Sequence, residues 1–268
     1  EDINVFTSGF LRFFFGLILI LPFIFYSKFQ NYKTPNFKIH LTRGILNIPM
    51  MLLSFSALQF IPLEQIKAIS FVTPIIVVIL SVIFLKEKIY LIRISALFIG
   101  LIGVFVILRP GFVSINVGAY MVLCACLIWS VVVIITKFAA KEDSAFTILS
   151  YQYTFVTILS FPIALYFWDT PSSQTIIYLI FAGIAGTIVH LCINTAYKLT
   201  DLSVLQPVNF SRLLIASFFG FLIFDEIPDI WTIIGGLIIF SSILIITYRE
   251  NYLKKDIAKK SIQLNLNS

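Results

Sequence analysis

The residues of this chain that could do chemistry are few, and most of them sit inside long apolar runs. Arg12 lies a third of the way into the first run, where it reads either as a counter-ion for a carboxylate or as a snorkelling or structurally paired side chain. Gln206, Asn209 and Arg212 are spaced by three, which on a helix makes one polar stripe suited to lining a cavity and attracting an anionic group. His190 and Asn194 are four apart and share a helical face, so they can hydrogen-bond a ligand or act as polar glue between helices. Asn47 reads the same way, with Pro49 beside it as an expected kink. Trp129, in the middle of its run, offers a surface for stacking on adenine or another flat group, and packing is the alternative. Tyr151, Gln152 and Tyr153 read as braces between helices, and Lys67 as a snorkelling side chain. Glu87 and Glu226, at the ends of apolar runs, read as structural locks or gates ahead of substrate contacts.

This inventory suits holding a molecule better than transforming one. Cys124 and Cys126 are two apart, point to different sides of a helix and cannot share a metal; Cys192 is alone. His40 and His190 are far apart in sequence, and no zinc-protease pair, glycine-rich phosphate loop or Ser/His/Asp order is evident. The sequence therefore reads as a non-enzyme with no cofactor or metal.

Hydrophobic residues make up 59% of the chain and charged residues 12%, with a mean hydropathy of +1.01. A soluble domain carries about 25% charged residues, and no single core could hide this much apolar surface. Lipid must be the solvent. Nine apolar stretches follow one another at approximately 5–26, 40–60, 66–85, 91–108, 117–136, 146–168, 176–197, 204–224 and 231–248. Each holds about 18–23 residues, and ~20 helical residues cross ~30 Å of hydrocarbon. The expected fold is an all-α integral membrane protein with nine visible transmembrane helices.

The stretches repeat. At an offset of 139, Gly44 matches Gly183, Ala57 matches Ala196, Leu63 matches Leu202, Phe71 matches Phe210 and Glu87 matches Glu226. At an offset of 140, Phe6-Thr7 matches Phe146-Thr147, Phe15 matches Phe155, Pro22 matches Pro162 and Tyr26 matches Tyr166. The first four helices thus pair with the last four, and the fifth has no mate. The expectation is a ten-helix parent in two halves of five whose first helix is missing, with halves at 1–112 and 113–250 and a Lys-rich tail at 251–268. An odd number of helices per half inverts the second half. The charges agree. Lys28, Lys33 and Lys38 follow the first helix, whereas the matching loop 169–174 carries no base. Lys/Arg-rich loops face the cytoplasm, so the tail is expected inside and Glu1 outside. Arg109 is the main exception. The net charge of +6 then reflects topology beside anionic lipid, with no nucleic-acid partner implied. Gly100, Gly103, Gly235 and Gly236 mark close helix contacts, either between the halves or with a second protomer in a homodimer. Duplicated, inverted halves are the usual build of secondary transporters.

Several features in order carry a resemblance to a known family. They are Arg12-Phe13, Arg43-Gly44, Pro74 followed by Leu85-Lys86-Glu87, Gly100 and Gly103 before Arg109-Pro110, Ala196-Tyr197 and Phe224-Asp225-Glu226. Together they resemble the drug/metabolite transporter superfamily, EamA-domain type. Within it, Arg12-Phe13-Phe14-Phe15, Leu21-Pro22-Phe23, Thr170-Pro171-Ser172-Ser173 and Glu226-Ile227-Pro228-Asp229 are similar to the S-adenosylmethionine uptake transporters, while Asn209 and Arg212 depart from their pattern. The resemblance implies a carrier that moves a small organic metabolite across a bacterial-type inner membrane by alternating access. S-adenosylmethionine uptake is one expectation; export of amino acids or related metabolites, or a non-transporting scaffold or sensor, is the other.

Overall fold

A computed structural model of the chain describes the backbone of residues 3–87, 90–109, 116–224, 227 and 229–266, and the side chains of these except 31, 64, 220, 223, 224 and 250–266. Glu226 and Asp225 lie outside the described residues. Among the described residues there are eleven α-helices: α1 Val5–Tyr26, α2 Phe37–Ser56, α3 Leu63–Ser70, α4 Thr73–Leu85, α5 Leu91–Leu108, α6 Val117–Ala139, α7 Ala145–Tyr166, α8 Ser173–Leu199, α9 Leu202–Val208, α10 Ser211–Phe224 and α11 Ile230–Leu266. They supply nine segments long and apolar enough to cross a membrane, close to those expected. Short polar caps start several of them. Asn4 accepts from the Phe6 amide, Ser144 from Thr147 and Ser172 from Thr175, each satisfying an amide that the helix itself leaves free.

Two expected helices are broken. The third span is interrupted between α3 and α4 at Phe71-Val72, and the eighth between α9 and α10 at Asn209-Phe210. The breaks fall on the repeat-matched pair Phe71 and Phe210, and both rings are buried. Proline lies beside each break: Pro74 opens α4, and Pro207 sits in the last turn of α9. A proline has no amide proton to continue the ladder. Discontinuous spanning helices at matching positions of two repeats are a recurrent transporter feature.

The helices gather into two compact units, Glu1–Leu80 with Ser114–Asp201 and Ser81–Val113 with Leu202–Ser268. Each unit draws helices from both halves of the sequence.

In the first unit, α1 packs on its repeat-mate α7 and on α8, while α2 packs on α6 and α7. The Asn4 amide, just before α1, donates to Asp169 Oδ2, just after α7, at 2.8 Å. At the other end, Phe23 of α1 meets Phe146 of α7, 6.4 Å between ring centroids. The mates therefore run antiparallel, as an inverted repeat requires. Their contacts are reciprocal. A Cβ on Gly44 would stand 2.5 Å from the Cβ of Phe155, and one on Gly183 would stand 3.2 Å from the Cβ of Phe15. Gly44 and Gly183, like Phe15 and Phe155, are repeat pairs, so one local contact is built twice.

In the second unit, α5 packs along α11, again repeat-mates and again antiparallel. Gly103 and Gly235 bring the two backbones together: a Cβ on Gly103 would lie 2.8 Å from the Gly235 carbonyl oxygen, and one on Gly235 would lie 2.6 Å from that of Gly103. The glycines thus serve the contact between halves. Arg109, the exception to the charge rule, forms an ion pair with Asp229 beside α11 and lies 5.5 Å from the Trp231 ring. Its charge is locally balanced. Glu87 accepts from the amides of Leu202 at 2.8 Å and Ser203 at 3.1 Å, capping α9. Of the two readings of Glu87, the structure gives it a lock on the broken helix. The backbone of α11 stays helical through the Lys-rich tail to Leu266.

Candidate functional site

A cavity of about 410 Å³ opens within the first unit, lined by five helices. α1 contributes Ser8, Gly9, Arg12 and Phe13, and α2 contributes Asn47, Met50, Met51, Ser54 and Phe55. Trp129 comes from α6, Gln152 and Val156 from α7, and His190 from α8. The spacings explain the selection. Residues three and four apart on one helix share a face: 8, 9, 12 and 13 on α1, and 47, 50, 51, 54 and 55 on α2. The volume falls in the range of small-molecule sites, ~300–1,000 Å³, and the mix of aromatic wall and few polar groups is also typical.

Arg12 is the cation of this wall. Its guanidinium sits 4.7 Å from the Phe13 ring centroid, and among the described residues no acid lines the cavity. Among the described residues it makes no ion pair. The aromatic contact holds the group in place without neutralising it. His190 packs against Phe13 at 6.4 Å and edge-on against Tyr153 at 5.9 Å. Behind the wall, Asn47 Nδ2 donates to the Arg43 carbonyl at 2.7 Å, fixing the amide one turn along α2.

Four of the residues singled out from sequence therefore meet at one cavity: Arg12, Asn47, Trp129 and His190. Asn194 lies one turn beyond His190, buried and outside the lining, and its Nδ2 has no hydrogen-bond partner among the described residues. Gln206, Asn209 and Arg212 belong to the second unit. The single helical stripe expected for them is corrected by the break at Asn209-Phe210. Gln206 is buried on α9, where its Oε1 accepts from Asn209 Nδ2 at 3.2 Å, while Asn209 and Arg212 are exposed. Lys67 is exposed on α3.

The Tyr151-Gln152-Tyr153 triplet divides. Tyr151 donates to the Tyr32 carbonyl at 2.7 Å and Tyr153 pairs with Thr187 at 3.2 Å, both as braces, but Gln152 faces the cavity. Sequence reasoning also passed over Ser8, Met50, Met51, Ser54 and Phe55. Their spacing around Arg12 and Asn47 was the available signal. It missed a buried chain as well. Asp143, in the link between α6 and α7, bonds His40 Nε2 at 2.9 Å; His40 Nδ1 meets Arg43 Nη1 at 3.3 Å; and Arg43 Nη2 donates to Gln152 Oε1 at 3.3 Å. The Arg43–Asn47 spacing of four hinted at its inner end.

Comparison with known proteins agrees with this architecture. Residues 1–109 and 116–248 match the EamA-like transporter family. The S-adenosylmethionine uptake transporter of Rickettsia felis is 30% identical over 258 residues, covering 96% of this chain and 87% of that one. The Rickettsia prowazekii protein of the same name matches equally, at 30% over 258 residues. The riboflavin transporter of Vibrio cholerae is 28% identical over 247 residues, covering 91% and 83%. A solved crystal structure superposes with a TM-score of 0.81 at 16% identity, covering 94% of this chain and 90% of that one, a likeness of fold alone. With repeat-mates packed antiparallel, broken helices at matching positions and a polar cavity among spanning helices, this chain is an integral membrane protein of the EamA-like transporter family.

Proposed function

We propose that the cavity of the first unit binds the transported metabolite, and that this metabolite is S-adenosylmethionine or a close chemical relative carrying a carboxylate and a flat base. The observation that carries the reading is Arg12, a cation on a cavity wall to which no acid among the described residues contributes. A carboxylate placed there gains a charge-assisted hydrogen bond. Trp129 offers a face for the adenine, and Phe55 and the sulfurs of Met50 and Met51 offer a polarizable wall for the sulfonium. Asn47, Gln152 and His190 supply the orienting hydrogen bonds, with Asn194 behind them. The names of the Rickettsia relatives point the same way. Gln206, Asn209 and Arg212, at the helix break of the second unit, are proposed as a further polar station on the transport path.

Transport runs by alternating access, the cavity opening to each membrane face in turn. The membrane is the bacterial plasma membrane. The loop 28–38, the 137–141 link and the C-terminal tail face the cytoplasm, because they hold most of the loop lysines. The Thr34–Asp143 bond at 2.7 Å and the Asn36–Glu142 bond at 2.9 Å tie the loop 28–38 to the stretch just after Lys141, at one end of the unit. Cysteines placed singly at 33 and 172 in a cysteine-free chain test the side. Only the one at 172 should react with an impermeant thiol reagent in intact cells.

The substrate is tested in proteoliposomes with labelled S-adenosylmethionine and competing unlabelled methionine, riboflavin and adenosine. Saturable uptake, blocked by unlabelled S-adenosylmethionine and poorly by riboflavin, is expected. Uptake blocked by riboflavin alone would keep the fold and discard the substrate.

A further inference from the structure

The buried chain from Asp143 to Gln152 has a chemical polarity that transport of a neutral solute would not require. Arg43 can only donate hydrogen bonds. The His40 Nδ1 that meets it is therefore an acceptor, and the ring proton lies on Nε2, where it is donated to Asp143 at 2.9 Å. The imidazole is thus neutral, fixed in one tautomer, and placed between a guanidinium and a carboxylate. His40 is 1% exposed, Arg43 3% and Asp143 4%.

The groups around His40 come from the α6–α7 link, α7 and the loop before α2. Asp143 comes from the α6–α7 link, and Tyr151 of α7 stacks flat on the ring at 4.5 Å and 4°. Glu142 is joined through Asn36, and Tyr32 receives the Tyr151 hydroxyl on its carbonyl. Lys137 of α6 is engaged elsewhere, donating to the Thr200 carbonyl at 2.7 Å.

Arg43 is one hydrogen bond short. Its Nε is buried with no partner among the described residues. It is also one turn from the wall: Asn47, four residues on, lines the cavity, as does Gln152, which Arg43 Nη2 touches.

We propose that His40 is the coupling-proton site of the carrier, and that its proton decides whether Arg43 is held by His40 or released to bind the anionic group of the substrate at the cavity wall. A proton added at Nδ1 turns that atom from acceptor to donor. The Arg43–His40 bond is then replaced by two donors and two positive charges facing each other. Arg43 turns toward Gln152 and the cavity, where a carboxylate satisfies Nε. When the Nδ1 proton is given up to water on the opposite face, Nε2 keeping its own proton on Asp143, Nδ1 is again an acceptor and recaptures Arg43, and the substrate loses one of its cations. One proton therefore travels with each substrate. This rests on the cavity being the transport site.

Two measurements test it on the full chain in lipid. The first uses no substrate: NMR of isotope-labelled histidine, with His190→Gln leaving only the His40 signal. A neutral ring with the proton on Nε2 is expected at about pH 8, and an imidazolium at about pH 5. In Arg43→Gln the single tautomer should give way to a mixture. A ring that stays neutral across that range, or a tautomer unchanged by Arg43→Gln, overturns the proposal.

The second is uptake of labelled S-adenosylmethionine into proteoliposomes under a gradient acid outside. One pH unit should support about tenfold accumulation in the unmodified protein. His40→Gln should keep exchange of internal for external label and lose the accumulation. If His40→Gln is absent from the membrane, Asp143→Asn replaces it with the same expectation. Accumulation equal to that of the unmodified protein in either variant overturns the proposal. If the unmodified protein moves no label, the substrate reading fails and the NMR result alone decides the proton site.

Discussion

Replacing Arg12 by glutamine removes the cation of the cavity wall while leaving a side chain of similar reach. Arg12 makes no ion pair among the described residues and stands at an acid-free wall, so the change strands no buried carboxylate. The folded protein loses its contact with the Phe13 ring, about 0.5–1 kcal/mol at such a site. A carboxylate ligand loses more. A hydrogen bond to a charged group contributes about 1.5–3 kcal/mol, and each ~1.4 kcal/mol is tenfold in affinity. Arg12→Gln should therefore raise the Kd for S-adenosylmethionine about ten- to hundredfold, with the level in the membrane unchanged. Arg12→Lys, which keeps the charge but not the planar fork, should fall between. Binding of radiolabelled ligand to purified protein gives the Kd, and a thermal unfolding scan gives stability. A second ligand isolates the contact: decarboxylated S-adenosylmethionine keeps base and sulfonium, and Arg12→Gln should bind it as the unmodified protein does. An equal loss for both ligands, or a Kd that rises only with a fall in Tm, would refute the assignment of Arg12 to the carboxylate.

Further outcomes are expected for five other variants. Trp129→Ala should lose about 1–3 kcal/mol of base stacking, read as a roughly tenfold or larger rise in the Kd of S-adenosylmethionine with little change for methionine; equal effects on both would leave Trp129 as packing. Gly103→Ala should cost about 1–3 kcal/mol as overpacking, because the new Cβ meets backbone atoms of Gly235 and Ile239 within 3.0 Å. Gly186→Ala, whose Cβ would meet only the Tyr153 hydroxyl at 3.7 Å, should be nearly silent in the same thermal scan. Glu87→Ala uncaps α9 and should cost about 0.5–2 kcal/mol, seen as faster hydrogen exchange at Leu202 and Ser203. Arg212→Gln should lower uptake about tenfold, the equivalent of ~1.4 kcal/mol, at constant membrane level; normal uptake would leave Arg212 a structural residue.

The spanning segments were legible because transfer into lipid is additive along a stretch, so an apolar run of sufficient length declares itself. The helix breaks were not. Phe71-Val72 and Asn209-Phe210 are interruptions of backbone hydrogen bonding, which hydropathy does not register, and only Pro74 and Pro207 hinted at them. The pairing of Phe15 with Phe155 and of Gly44 with Gly183 told which helices are mates, and the structure adds that the mates α1 and α7, and α5 and α11, touch. At the site, Arg12, Asn47, Trp129 and His190 stood out because polar and amphipathic groups at membrane depth are costly. Met50, Met51 and Phe55 did not, because an apolar residue facing a cavity looks like one facing lipid. The His40–Asp143 bond spans 103 residues and joins a helix to a loop. No local pattern encodes such a contact.

The glycine crossing of α5 and α11 also bears on how the protein is made. α5 is complete at Leu108, and its mate begins at Ile230. At ~5–20 residues per second, the intervening stretch of about 120 residues takes roughly 6–24 s to synthesise. Throughout that time the groove around Gly103 faces lipid or a passing helix, with Gly235 and Ile239 not yet there to fill it. The second unit can close only when the last helix enters the bilayer. Its assembly is a final, late step, and a ribosome stalled before Ile230 would leave the first unit built and the second open.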